Sequence, residues 1–177
     1  IELTKGNRLV GVGLTSGDCD VLLFSDAGKV VRFGEQDVRP MGRNARGVRG
    51  ITLKKGQSVI SSIIAVADIG DATVLTATKN GYGKRTLLTD YPRHRRGGQG
   101  VISIQVNKRN GPAVGACLTT GEDEVMLITN AGKLIRTRTR EISIVGRNTQ
   151  GVHLIDLAAG ESLAGLEKVA ESPEGEA

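Results

Sequence analysis

This 177-residue chain has no tryptophan, and Tyr82, Tyr91, Phe24 and Phe33 are its only aromatics, so its core has to come from Val, Ile, Leu and Ala. Its 25 glycines against four prolines favour short strands joined by tight turns over a helical bundle. Cys19 and Cys117 form no metal or redox motif and read as free thiols of a reducing cytosol, and no apolar run is long enough for a signal peptide or a membrane span. The net charge of +5 is unevenly spread: Asp156, Glu161, Glu167, Glu171, Glu174 and Glu176 against Lys168 leave residues 156–177 at −5 and residues 1–155 at +10, an asymmetry that suggests a nucleic-acid partner and a competing tail.

The chain opens on Ile1 rather than Met, which reads as a segment of something longer, and residues 1–10 look like the last strand of a preceding unit. From there the sequence repeats. An apolar run (Leu9–Val12, Ser62–Val66, Ala113–Ala116) leads through an acidic turn (Gly17-Asp18, Asp68–Asp71, Gly121–Glu124) to a second run: Val21–Phe24, Val74–Ala77 or Val125–Ile128. Each second run ends in a Ser/Thr-x-x-Gly turn at Gly28, Gly81 or Gly132, followed by an alternating third strand such as Lys29–Phe33 or Lys133–Thr137. A polar, basic loop then runs to a second glycine, Gly47, Gly100 or Gly151, which begins a fourth run (Gly47–Ile51, Gly100–Ile104, Gly151–Ile155). Both glycines recur at spacings of 53 and 51 residues. Four strands per unit of this length is the arithmetic of a propeller blade.

We therefore expect an all-β, propeller-like fold of four-stranded antiparallel blades over 1–166, with repeats at about 9–58, 59–110 and 111–155, closing strands at both ends, and an acidic tail at 167–177. Leu163–Leu166 falls where a next unit's first strand should begin. Three blades do not close a ring, so a larger ring, a pair of copies or an open arc remain as alternatives.

Arginines recur with the glycines: Arg32, Arg85 and Arg136 four residues after the first glycine, and Arg43, Arg96 and Arg147 four before the second. The connecting loops carry +4 over 29–50, +5 over 79–96 and +4 over 133–147. Repeat symmetry would set these cations in a stripe along a rim that follows a phosphate backbone without reading bases. Candidate contacts to such a nucleic-acid backbone are Arg32, Arg43, Arg46, Arg49, Lys84, Arg85, Arg93, Arg95, Arg96, Arg136, Arg138 and Arg147. In His94-Arg95-Arg96-Gly97-Gly98-Gln99-Gly100, glycines would admit a phosphate to the backbone while the guanidiniums grip it. Tyr82 and Tyr91 read as space fillers beneath loops and His153 as an outward strand position. No catalytic set is visible: there are two histidines, and the carboxylates sit in turns and the tail. Neither a cofactor nor a metal site is expected.

The motif at 94–100 is similar to the gyrase box, Gln-Arg-Arg-Gly-Gly-Lys-Gly, with His94 and Gln99 replacing its outer Gln and its Lys. Met41–Ile51, Asn80–Thr86 and Ile142–Val152 also resemble blade sequences of the C-terminal DNA-wrapping domain of DNA gyrase A, and the resemblance spans essentially residues 1–170. It implies a β-pinwheel whose blades exchange strands, with these repeats resembling the last three of six. DNA would bend around a basic rim as part of an ATP-dependent type II topoisomerase, assembled from the rest of gyrase A and from gyrase B in the bacterial cytoplasm. The corresponding C-terminal domain of topoisomerase IV, and a propeller scaffold for acidic proteins, are the other readings. A homodimer of this segment is a further expectation, with weaker binding and little wrapping without the first-blade box.

Overall fold

The computed structural model describes residues 1–66 and 70–169. The acidic turn expected at Asp68–Asp71 lies partly outside them, and most of the acidic tail lies wholly outside.

Among the described residues eleven strands form three sheets. β1 (Cys19–Ser25), β2 (Lys29–Gly34), β3 (Val59–Val66) and β6 (Val101–Ile102) make the first, in the order β3-β1-β2-β6. The second, ordered β10-β5-β4-β7, comprises β4 (Thr73–Thr78), β5 (Tyr82–Leu87), β7 (Ala113–Thr119) and β10 (Val152–His153). The third, β11-β8-β9, has β8 (Glu124–Thr129), β9 (Leu134–Arg138) and β11 (Leu163–Lys168). Every pairing between named strands is antiparallel.

Each sheet is shared between repeats. The second and third runs of one repeat form a central hairpin, and the next repeat supplies the strands on either side. Thus β3 flanks β1 and β6 flanks β2, while β7 flanks β4 and β10 flanks β5. This is the strand exchange that the resemblance implied. It changes the expected blade, in which all four runs of a repeat would pair together.

The hairpin turns explain the first glycine. The N–H of Gly28, Gly81 and Gly132 donates to the carbonyl of Ser25, Thr78 and Thr129, at 3.0, 3.0 and 3.1 Å. The φ values of 68, 81 and 79° there suit glycine alone. The hydroxyl at the head of each turn bonds across it: Lys29 N–H to Ser25 Oγ, Lys133 N–H to Thr129 Oγ1, and Thr78 Oγ1 to the Tyr82 carbonyl.

The core lies between sheets, because alternate residues of a strand face opposite sides. Leu22, Phe24, Ile63 and Ala65 of the first sheet meet Val74, Leu88, Tyr91 and Ala116 of the second repeat and its neighbour. Leu75, Ala77, Val125, Leu127, Ile142 and Leu163 fill the second junction. Strand β4, covered on both faces, is buried at every position, which fits its run of Thr, Val, Leu and Ala.

Two expectations fail at the leading end. Neither residues 1–10 nor Leu9–Val12 form a strand, and Gly47–Ile51 forms none either. The exchange pattern gives the reason: their pairing partners would be the second and third strands of a preceding repeat, and no such strands are among the described residues. Leu9, Val10, Val12 and Leu14 are exposed in consequence. At the other end β11 begins where the next unit's first strand was expected and continues through Lys168, past the expected boundary at 166.

Candidate nucleic-acid interface

The basic residues separate into two groups. The first is interior. Arg32 lies against Asp20, with its Nε 2.7 Å from Oδ2, and Nη1 donates to the carbonyls of Leu88 and Tyr91 in the next repeat at 2.8 and 3.1 Å. Arg85, the same position one repeat on, is 6% exposed and donates from Nε to the carbonyl of Ile142, again one repeat ahead, at 2.8 Å. Burial pulls its pKa down. Arg136, at the same position, is instead largely exposed and pairs with Glu124, as does Arg138. At Arg32 and Arg85 the recurrence therefore marks a strut between sheets, and for these two the expected rim position is corrected. Lys84 is corrected too, being 1% exposed. Its pKa is lowered to about 8, chiefly by burial, then by the nearby charge of Arg147, with Asp90 opposing.

The second group sits in the loops that join the third strands to the fourth runs. Arg96 Nε donates to the carbonyl of Asp37 and Nη1 to that of Arg49, at 2.8 and 3.1 Å. Arg147 Nη1 donates to the carbonyl of Ile102, the equivalent of Arg49, at 2.9 Å. Both remain partly exposed. Each thus anchors its loop to the preceding repeat while keeping part of its guanidinium at the surface. Arg43, Arg49 and Arg95 are exposed and make no ion pair among the described residues. Arg46 pairs with Glu2, and Arg93, over half exposed, pairs with Asp20.

The glycines of the box-like loop serve the protein's own backbone. Gly97 N–H donates to the Gly50 carbonyl at 2.6 Å, and Thr52 returns its N–H to the Gly98 carbonyl and its hydroxyl to that of Gly97, at 2.8 and 2.7 Å. A Cβ on Gly100 would collide with the Val30 carbonyl; on Gly151 it would stand 2.6 Å from that of Gly83. At Gly100 and Gly151 a neighbouring repeat presses close enough to require glycine, which corrects the expectation that Gly100 opens the backbone to phosphate, whereas a Cβ on Gly97 or Gly98 would meet nothing nearer than 3.5 Å.

Tyr91 is buried edge-on to Phe24, and burial raises its pKa. Tyr82 is half-buried beneath the Arg109 guanidinium and meets the exposed His153 edge-on. Burial pushes the Cys117 thiol up to about 12, so the thiolate is negligible at neutral pH. Sequence reasoning missed three supports: Asp20 as an arginine anchor, Lys84 as an interior cation, and Asn110, fully buried with its amide donating to the carbonyls of Gln105 and Gln150. The signal for Lys84 was there, since Val31 and Ile135 fill the equivalent strand positions.

Among the described residues no helix is long and apolar enough to cross a membrane. The family model of the DNA gyrase C-terminal domain, a β-propeller, matches residues 20–66, 72–111 and 123–170. The DNA gyrase A protein of Escherichia coli is 56% identical over 97% of this chain, which spans 19% of that relative's length. A solved DNA gyrase A C-terminal domain superposes with a TM-score of 0.78 at 28% identity, over 86% of this chain and 51% of that one. For a topoisomerase IV C-terminal domain the TM-score is 0.88 at 25% identity, over 95% of this chain and 52% of that one. Exchanged four-stranded blades, two glycines per repeat and a match across three successive segments lead to one conclusion: this chain belongs to the DNA gyrase C-terminal domain family of β-propellers.

Proposed function

We propose that this chain binds and bends duplex DNA along its connecting loops, as part of a gyrase A protein that works with its own remaining domains and with gyrase B as a type II topoisomerase. One observation carries the reading. Arg43, Arg96 and Arg147 occupy the same place in three successive loops, each at least partly exposed, with Arg49 and Arg95 exposed beside them. Cations spaced by a structural repeat suit a periodic polyanion better than a single acidic protein. Sequence similarity to gyrase A favours that enzyme over topoisomerase IV, whose domain has the same shape. Presenting a DNA segment for strand passage during negative supercoiling, with no catalytic residue or cofactor from this segment, completes the proposal.

The test is duplex affinity against salt. If these five arginines each neutralise one phosphate, the logarithmic slope is about −4.5, well below the −7 that roughly eight contacts would give. A slope near zero, or strong preference for one short sequence, would overturn the reading. Closing relaxed circles with ligase in the presence of the protein separates bending from chiral wrapping, which alone changes linking number.

A further inference from the structure

Lys84 is a charged side chain where a strand should carry an apolar one. The equivalent positions hold Val31 and Ile135, yet Lys84 is 1% exposed, as deep as the core residues Val30 and Leu163. Its Nζ donates to the carbonyls of Gly146 and Arg147 at 2.6 and 2.5 Å and to Thr149 Oγ1 at 3.1 Å. All three acceptors belong to the next repeat's connecting loop. They use every N–H of an ammonium, and the loop is further tied by Thr149 Oγ1 to the Gly146 carbonyl and by Thr86 Oγ1 to that of Val145.

The contrast with the preceding loop shows what Lys84 does. There, Gly97 and Gly98 let the backbone sit against Gly50 and Thr52, which supply its partners. In the later loop those places are Asn148 and Thr149, and the Gly146 and Arg147 carbonyls are met by Lys84. We propose that Lys84 is the positioning residue for Arg147: it fixes the 146–149 backbone so that the Arg147 guanidinium faces outward toward a phosphate. The inference rests on the DNA reading above.

The charge state supports the same role. A neutral amine keeps two N–H donors for three acceptors, so the grip weakens when Lys84 loses its proton. Its pKa is lowered to about 8, chiefly by burial and then by the charge of Arg147, with Asp90 opposing, and Tyr91, facing the same junction, stays neutral because burial raises its own pKa. The folded protein gives up this proton before the unfolded chain, whose lysine titrates at the ordinary value of 10.5. Between about pH 8 and that value the unfolded state holds more protons, so this group makes stability rise with pH. DNA affinity through Arg147 should fall over the same window. A merely structural lysine would not move the two in opposite directions.

The experiment compares the full chain with Lys84→Ile, Arg147→Ala and the double variant, with Lys84→Met as a second truncation in case Ile packs badly. Duplex affinity at low salt is read at pH 7 and pH 9, with amide exchange at Val145 and Gln105, whose N–H groups bond across the loop to the Arg85 and Thr149 carbonyls. We expect Lys84→Ile and Arg147→Ala to weaken binding by the same factor, on the order of tenfold for one charge-assisted contact, with no further loss in the double variant. Only a chain that carries both Lys84 and Arg147 should lose affinity between pH 7 and pH 9. Exchange at both amides should quicken in Lys84→Ile. Parent-like affinity in Lys84→Ile and Lys84→Met, or additive losses, overturns the inference. If Arg147→Ala binds like the parent, the DNA reading of this loop fails instead. Exchange then decides alone: quickened amides uphold the positioning of the loop by Lys84, and unchanged protection overturns it.

Discussion

At the scale of single residues, the paired glycines do two different jobs that the sequence renders identically. Gly47 and Gly100 hold the same place in successive repeats and share a left-handed φ, 82 and 72°. A Cβ on Gly47 would meet nothing within 4 Å, whereas on Gly100 it would run into the Val30 carbonyl. The first substitution therefore carries only the left-handed strain of an L-residue, about 1–2 kcal/mol. The second adds a clash with backbone that is held in a sheet and cannot swing aside. Gly100→Ala should cost at least ~2 kcal/mol more than Gly47→Ala in denaturant unfolding. Equal costs would mean that the tightness at Gly100 is not inherent to the fold. The same pair explains part of why the box-like motif misled: it reads as a phosphate clamp, but its last glycine admits the neighbouring strand β2, and Arg96 gives two of its donors to the Asp37 and Arg49 carbonyls.

At the scale of elements, the strand exchange makes β9 unlike its counterparts. Leu134 is 60% exposed, whereas Val30, at the matching place two blades behind, is 1% exposed. Strand β2 pairs with β6 at Lys29 and Val30, and β5 with β10 at Tyr82 and Gly83, while β9 pairs among the described residues with β8 alone. The outward amide of Leu134 should therefore exchange with solvent more than tenfold faster than that of Val30, a gap of over about 1.4 kcal/mol in local opening. Equal protection would reveal a partner on β9 in solution, such as another copy of the chain. The strands themselves were legible because apolar runs bounded by Gly, Asp and Asn leave little choice of element. Which run joins which sheet was not legible from the runs alone, since first and fourth strands look the same whether they pair at home or next door. Nor was the fate of Arg32 and Arg85. A basic residue on an alternating strand reads as solvent-facing until the sheet that covers it is known.

At the scale of the whole molecule, the acidic end opposes the basic loops, and the structure narrows which of its charges are free to do so. Glu161 accepts from the Ala158 N–H and from Lys133 Nζ, contacts that with the Thr129 hydroxyl hold its carboxyl down at about 2, so it is committed to the turn beside β9. Lys168 closes β11 onto Asp123 at 2.8 Å, and the next amide, Val169, donates to the Glu124 carbonyl. A cut at residue 167 would therefore disturb the third sheet along with the tail. Removing residues 170–177 instead deletes Glu171, Glu174 and Glu176 and leaves that pairing whole. If those three charges compete with phosphate for the exposed arginines, the shortened chain should bind duplex DNA several-fold more tightly at low salt. The difference should fade as the Debye length shrinks from about 30 Å at 0.01 M to about 8 Å at 0.15 M. Unchanged affinity at 0.01 M would remove competition from the account and leave the tail without an electrostatic part in binding.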